Sequence, residues 1–244
     1  MDFLFEKYDY VVGIDVGNSG GITIITLVDG KIGKTEILSM PIVKKQVGTK
    51  KKPKSKTELD ELKVVEIFEK YKDAKVLAGI EFLHSFKNEG SSSSFSFGTS
   101  WGLLRGICRA FKFDVQLISP ISWKKGYKEL ENDEIVQLRL ESKAKKEIIK
   151  QMIEKIGKRA ANKESKEIKK EIDKISRTIK SKAKTAAREL TAKLIPNLKD
   201  EFKQVNSDGK AESALIGYFV WNKFNELAQG IKIKDEADQH SDEE

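Results

Sequence analysis

Residues 8–26, YDYVVGIDVGNSGGITIIT, decide the fold. An apolar run, Val11-Val12-Gly13-Ile14, ends on Asp15. Gly17, Asn18, Ser19, Gly20 and Gly21 then lead into a second β-branched run. Residues 9–16 and 21–28 read as the strands of a hairpin, and Asp29-Gly30 follows as a turn. Residues 35–42 predict a third strand that ends near Pro41. An acid at the edge of a sheet with open backbone behind it lets a phosphate-bearing ligand or a metal approach without meeting a side chain. An aspartate that merely caps a turn fits this stretch equally well.

The lysine segment 44–56 reads as a loop. Residues 57–72, TELDELKVVEIFEKYK, carry apolar residues at 59, 62, 65, 68 and 71, which is helical spacing after a Thr57 cap. KVLAGIEFL (75–83) fits a buried strand. Gly90–Ser94 reads as a Ser-rich loop, 95–111 as a helix and 113–120 as a strand. From about 129 to 193 the composition changes. Ile168, Ile172, Ile175, Ile179, Ala183, Ala186 and Leu190 recur at three- and four-residue intervals, as do Ile135, Leu138, Ile149, Met152 and Ile156 upstream. Two long amphipathic helices are expected there, turning near Gly157–Ser165. A last helix, 208–228, is apolar over ALIGYFVW and should be largely buried. The order of elements predicts a mixed α/β sheet covered on both faces. The expected organisation is an α/β domain over 1–128 and 182–232, an inserted basic helical hairpin over 129–181, and an acidic disordered tail over 233–244.

The net charge of +8 is uneven. Residues 128–193 hold 20 Lys and Arg against 12 Asp and Glu, so this segment carries the whole surplus. Residues 44–56 add seven lysines and no acid. Two local basic surfaces suit a polyanion, although solvation alone also accounts for lysine runs. No apolar run has the roughly 18 residues a membrane span needs, so no membrane association is expected. The single Cys108 excludes an internal disulfide and suits a reducing compartment, so a cytoplasmic or nucleoid-associated location is expected.

Three further acids draw attention. Glu81, in LAGIEFL, is costly to bury unless paired or metal-bound. Asp208 and Glu212, in NSDGKAESALIGYF, stand four apart at the start of an apolar helix and project from one face. Either alone reads as an N-cap or a solvated first-turn residue. Together with Asp15 and Glu81 they form an all-oxygen donor set of the kind hard cations take. Two Mg²⁺ or Mn²⁺ ions roughly 3.5–4 Å apart in such a set would support phosphodiester hydrolysis.

VGIDVGNSGGITII, AGIEFLHSF, SSFSFGTSWGLLRGI, ISPISWKK, TAARELTAKLIP and DGKAESALIGYF, in this order and spacing, resemble RuvC-type Holliday junction resolvases, most of all their phage-like branch. The resemblance covers about residues 9–128 and 180–228. It implies an RNase H-like five-stranded mixed sheet with flanking helices, here interrupted by the long helical hairpin. It further implies a homodimer that makes paired, metal-dependent nicks in four-way DNA junctions, with two Mg²⁺ or Mn²⁺ per site and no small-molecule cofactor. By motif position Asp15, Glu81, Asp208 and Glu212 would be the metal ligands. Lys124, with Lys125 beside it, would touch phosphate near the scissile bond, and Lys182 or Lys184 would be the second lysine. His84 and Phe86 fall where relatives contact the junction. Phe95 and Phe97 could stack on unpaired bases but read better as core residues. The hairpin would grip a junction arm and pack on itself.

Two other readings compete. IDVGNSG also resembles the phosphate loop of actin-like ATPases and pantothenate-kinase-type enzymes. Those need a second Asp-Gly-Thr-like motif, which the chain lacks, and have no use for the acidic pair or the basic hairpin. A catalytically inactive RNase H-like DNA-binding scaffold is the other, and the intact set of four acids argues against it.

Overall fold

The computed structural model describes residues 7–49, 52–82 and 90–228. The chain divides into two compact units. One comprises the residues up to Trp123 together with those from Gly209 on, and the other is Lys124–Asp208.

The first unit is built on the expected five-stranded mixed sheet with flanking helices, an α/β architecture. Strands β1 (Tyr10–Asp15), β2 (Gly21–Val28) and β3 (Lys31–Ser39) form an antiparallel meander. β6 (Val76–Glu81) and β7 (Asp114–Ile118) add to β1 in parallel, giving the order β3-β2-β1-β6-β7. Asp29 and Gly30 both take positive φ, 51° and 70°, as a two-residue hairpin turn matched to strand twist requires. The third strand begins directly after this turn and ends at Ser39, four residues earlier at its start than the apolar pattern suggested.

The lysine segment is not a loop. Ile42–Thr49 (β4) and Lys52–Leu59 (β5) pair as an antiparallel ribbon. Strand pairing there is satisfied by the backbone, so it needs no apolar face when both sides are in water. The helix predicted from Thr57 is shorter for the same reason, because 57–59 belong to β5. Helix α1 is Glu61–Phe68 with Asp60 as its N-cap, accepting from the Lys63 amide at 3.0 Å. Helix α2 (Ser91–Ala110) includes the serines read as a loop, with Gly90 as N-cap.

Alternation along the strands assigns the two faces. Val12, Ile14, Ile22, Ile24, Ala78 and Ile80 pack with Val64 and Phe68 of α1 and Leu104 and Cys108 of α2. Burial pushes the Cys108 thiol up to about 12, and the side chain is fully enclosed. It should therefore resist a thiol-specific chromogenic disulfide at pH 8 and react stoichiometrically once urea unfolds the chain. Rapid reaction of the native protein would show that α2 does not stay packed on this face. The opposite face receives α6 (Asp208–Ala228), whose Ala214, Leu215, Ile216 and Val220 are buried as expected of the apolar run.

The second unit is the helical hairpin with short helical turns at its base. Helix α4 spans Asp133–Glu164 and α5 spans Lys166–Leu194. The reversal occurs at Ser165, while Gly157 (φ 79°) is a break inside α4 rather than the turn. Ion pairs Lys145–Glu171 (2.6 Å) and Lys182–Glu134 (2.7 Å) fasten the two helices side by side and antiparallel. Ile135, Ala161 and Ile175 are buried, whereas Ile156, next to the break, is exposed. Among the described residues no helix is long and apolar enough to cross a membrane.

Candidate active site

The sheet brings two of the four acids to one edge. The parallel register that pairs Ile14 with Ile80 sets Asp15 level with Glu81, at the C-terminal ends of neighbouring strands. Their backbones are therefore about 4.8 Å apart, with both side chains on the same face of the pleat. That face is the one α6 covers. A Cβ built at Gly13, two residues before Asp15, would lie 2.1 Å from the Ser213 carbonyl oxygen and 2.4 Å from the Gly217 nitrogen. One at Gly79, two residues before Glu81, would meet Val220 at 2.4 Å and Ile216 at 3.3 Å. Side chains are absent where the helix crosses and acidic side chains stand where it begins.

The approach continues to the N-terminus of α6. Gly21, partner of Asp15 across the β1–β2 ladder, faces the Gly209 carbonyl, and Gly209 in turn sits against Ser19 and Gly20. Deeper along the helix Thr23 Oγ1 and Ser213 Oγ are 2.8 Å apart in a buried contact. The Ser213 hydroxyl donates to the Lys210 carbonyl at 2.9 Å, so Thr23 is the donor between the two. On α6 the row 212–216–220 lies over β6, since Ile216 and Val220 cover Gly79. Glu212, one turn nearer the start, is thereby carried towards the end of β6 where Glu81 stands. It is half-buried.

Glu81 is 5% exposed, and its Oε1 accepts a hydrogen bond from the indole Nε1 of Trp123 at 2.9 Å. Trp123 is fully buried on the short helix α3 (Pro120–Lys125). The sequence points to Lys124 and Lys125 in this motif and passes over the tryptophan before them. An apolar indole in an otherwise polar stretch was the available signal. Lys124 is half-buried and Lys125 exposed.

In the second unit, Asp208 is held by two cations from α5. Arg188 binds its Oδ1 and Lys184 lies 3.2 Å from its Oδ2. The Arg188 and Asp208 side chains are 13% and 14% exposed, so this pair is largely shielded from water. Of the two lysines left open by the sequence, Lys184 stands at a candidate acid, and Lys182 is spent on Glu134. Arg188 was missed, although its i+4 spacing from Lys184 puts both on one face of α5. His84 and Phe86 lie outside the described residues. Phe95, read as core, is 74% exposed on the first turns of α2, while Phe97 is half-buried against the core as expected.

Among the described residues no three His, Cys, Asp or Glu side chains are grouped so that they could hold a metal ion. Asp15 and Glu81 share an edge through their backbones, but the Glu81 carboxylate is turned to the indole and that of Asp208 to its two cations. The donor set is nonetheless all carboxylate, which in chemistry fits Mg²⁺ or Mn²⁺.

No protein-family model and no curated protein matches the chain. A solved structure that aligns with it is RuvC of T. thermophilus in complex with a Holliday junction substrate, at 9% identity and a TM-score of 0.41, covering 91% of this chain and 97% of that one.

Proposed function

We propose that the chain is a metal-dependent endonuclease that cuts branched DNA, four-way junctions above all, acting as a homodimer that nicks opposite strands. The observation that carries this reading is the edge at which Asp15 and Glu81 stand level on adjacent parallel strands beside the opening turns of α6. Asp15, Glu81, Asp208 and Glu212 would hold two Mg²⁺ or Mn²⁺ ions. When bound, such ions activate water and stabilise the leaving oxygen. The protein's own residues do the rest. The backbone from Gly17 to Gly21 leaves the approach to Asp15 free of bulky side chains for a sugar–phosphate strand. Trp123 fixes one oxygen of Glu81, and Lys184 with Arg188 orients the Asp208 carboxylate. Lys124 and Lys125, with the lysines of α4 and α5, supply positive charge for the phosphates of a junction arm.

The test is cleavage of an immobile synthetic four-way junction beside the matching linear duplex, in Mg²⁺ or Mn²⁺. Symmetric nicks confined to the junction are expected, lost in Asp15→Asn while junction binding persists. Binding by wild type with no cleavage in either metal would instead mark an inactive scaffold.

A further inference from the structure

The ribbon β4–β5 carries charge in a pattern that its own stability does not explain. Residues 42–59 contain seven lysines and one acid, Glu58. The register places Val43 opposite Glu58, Lys45 opposite Lys56 and Val47 opposite Lys54. Side chains of directly paired residues share a face, so Lys45, Lys56 and Lys54 lie on one face of the ribbon, together with Val43, Val47, Thr49 and, at its base, Glu58. Lys45 and Lys56 stand directly across from each other, an arrangement that destabilises a strand pair. A single carboxylate holds them there, with Glu58 Oε2 2.8 Å from Lys45 Nζ and Oε1 3.0 Å from Lys56 Nζ. Lysines placed only to protect a sheet edge would not need to face one another.

The base of the ribbon lies beside the loop that follows Asp15. Asn18 Nδ2 donates to the Thr57 carbonyl at 3.3 Å. Between that loop, the end of β5 and the first turns of α2 is a cleft of about 320 Å³, lined by Asn18, Lys56, Ser93, Phe95 and Ser96, with the acids Glu58 and Glu61 also on its wall. Same-face lysines on one strand recur every two residues, about 7 Å apart, which is comparable to the step between phosphates along an extended strand. A positive face leading into a cleft with hydroxyls and an exposed aromatic ring is the chemistry that tracks a nucleic-acid backbone.

We propose that Lys45, Lys54 and Lys56 on the β4–β5 ribbon form a sequence-independent track for one phosphate backbone, which the cleft at its base conducts to the Asp15 loop. The identity of the polyanion as DNA rests on the function proposed above. Glu58 sets the two facing lysines in place and lowers their net pull.

Binding of a labelled four-way junction is measured by fluorescence anisotropy in EDTA, at several salt concentrations between about 50 and 200 mM. The proteins are wild type, a triple Lys45→Ala, Lys54→Ala, Lys56→Ala variant, the corresponding triple Arg variant, and Glu58→Gln. The alanine variant should weaken binding roughly tenfold or more at the lowest salt and flatten the plot of log Kd against log salt by about two to three. The arginine variant should keep the wild-type slope, and Glu58→Gln should tighten binding. Far-ultraviolet circular dichroism confirms that the fold is intact, as it should be for exposed side chains. An alanine variant with wild-type affinity and slope overturns the track. A wild type that binds no DNA overturns both the track and the endonuclease reading. Wild-type binding whose slope falls in the alanine variant, with no nicking in Mg²⁺ or Mn²⁺, upholds the track and overturns only the endonuclease.

Discussion

Gly13→Ala should lower the melting temperature by about 6–12 °C. The added carbon would sit 2.1 Å from the Ser213 carbonyl oxygen, 2.4 Å from the Gly217 nitrogen and 2.8 Å from its Cα. All three are backbone atoms of α6, so no rotamer change relieves the contact. The helix must lift from β1, loosening the Thr23–Ser213 hydrogen bond and the buried contacts of Leu215 and Ile216. Overpacking of this kind costs about 3 kcal/mol or more, and in a chain of this size each kcal/mol moves the midpoint by about 2–4 °C. Gly102→Ala on α2 is the matched control. Nothing lies within 4 Å of its would-be Cβ, so alanine there should gain roughly 0.5–1 kcal/mol from helix propensity alone. Differential scanning fluorimetry reads both. Equal, small shifts in the two variants would mean that α6 does not lie against the glycines of β1. Because α6 also carries Glu212, Gly13→Ala should depress any cleavage activity at temperatures well below its own midpoint.

The edge that holds Asp15 was legible because its signals are local. A β-branched run, a block of small residues, another β-branched run and an Asp-Gly turn each act within a few residues, and all agree. The burial of α6 was equally plain from ALIGYFVW. The ribbon was not legible, since lysine-rich composition reads as solvated loop whether or not strands form. What creates β4 and β5 is the pairing of Lys45 with Lys56 and of their neighbours, which the residue pattern within either segment does not reveal. The start of α2 was missed because serines disfavour helix interiors yet sit well at a helix N-terminus, which only the position of Gly90 decides. Among the acids, sequence spacing located the positions on strands and helix but said nothing of what each carboxylate touches. Arg188 illustrates the difficulty. In a helix that is one-third Lys and Arg its charge is unremarked, and its importance comes from a partner twenty residues away.

Asp208 and Glu81 show two ways of keeping an ionisable group in a shielded place. Asp208 is surrounded by formal positive charge, from Arg188 and Lys184. A cation arriving at this carboxylate would have to compete with both. Among the described residues, the hydrogen-bond donor to Glu81 is the neutral indole of Trp123. A carboxylate buried to 5% exposure with so little compensation is the kind of group that costs stability and is explained by chemistry.

Substitutions at Glu81 and Trp123 should therefore pull stability and activity in opposite directions. Glu81→Gln keeps the shape and an acceptor oxygen for the Trp123 Nε1, while removing a buried charge. Its melting temperature should equal or exceed that of wild type. If Glu81 is a metal ligand, junction cleavage should fall about a thousandfold or more, since several kcal/mol of transition-state stabilisation leave with the charge. Trp123→Phe does the reverse. It preserves most of the ring packing but strips the donor from a buried carboxylate, costing about 1–3 kcal/mol, with a smaller loss of cleavage that rising Mn²⁺ partly restores by re-ordering the acid. The two measurements are thermal midpoint and single-turnover nicking as a function of metal concentration. A Glu81→Gln protein that unfolds early would show the carboxylate to be structural, with the indole bond its purpose. One that melts late and cuts normally would remove Glu81 from the reaction and leave Asp15, Asp208 and Glu212 to carry it.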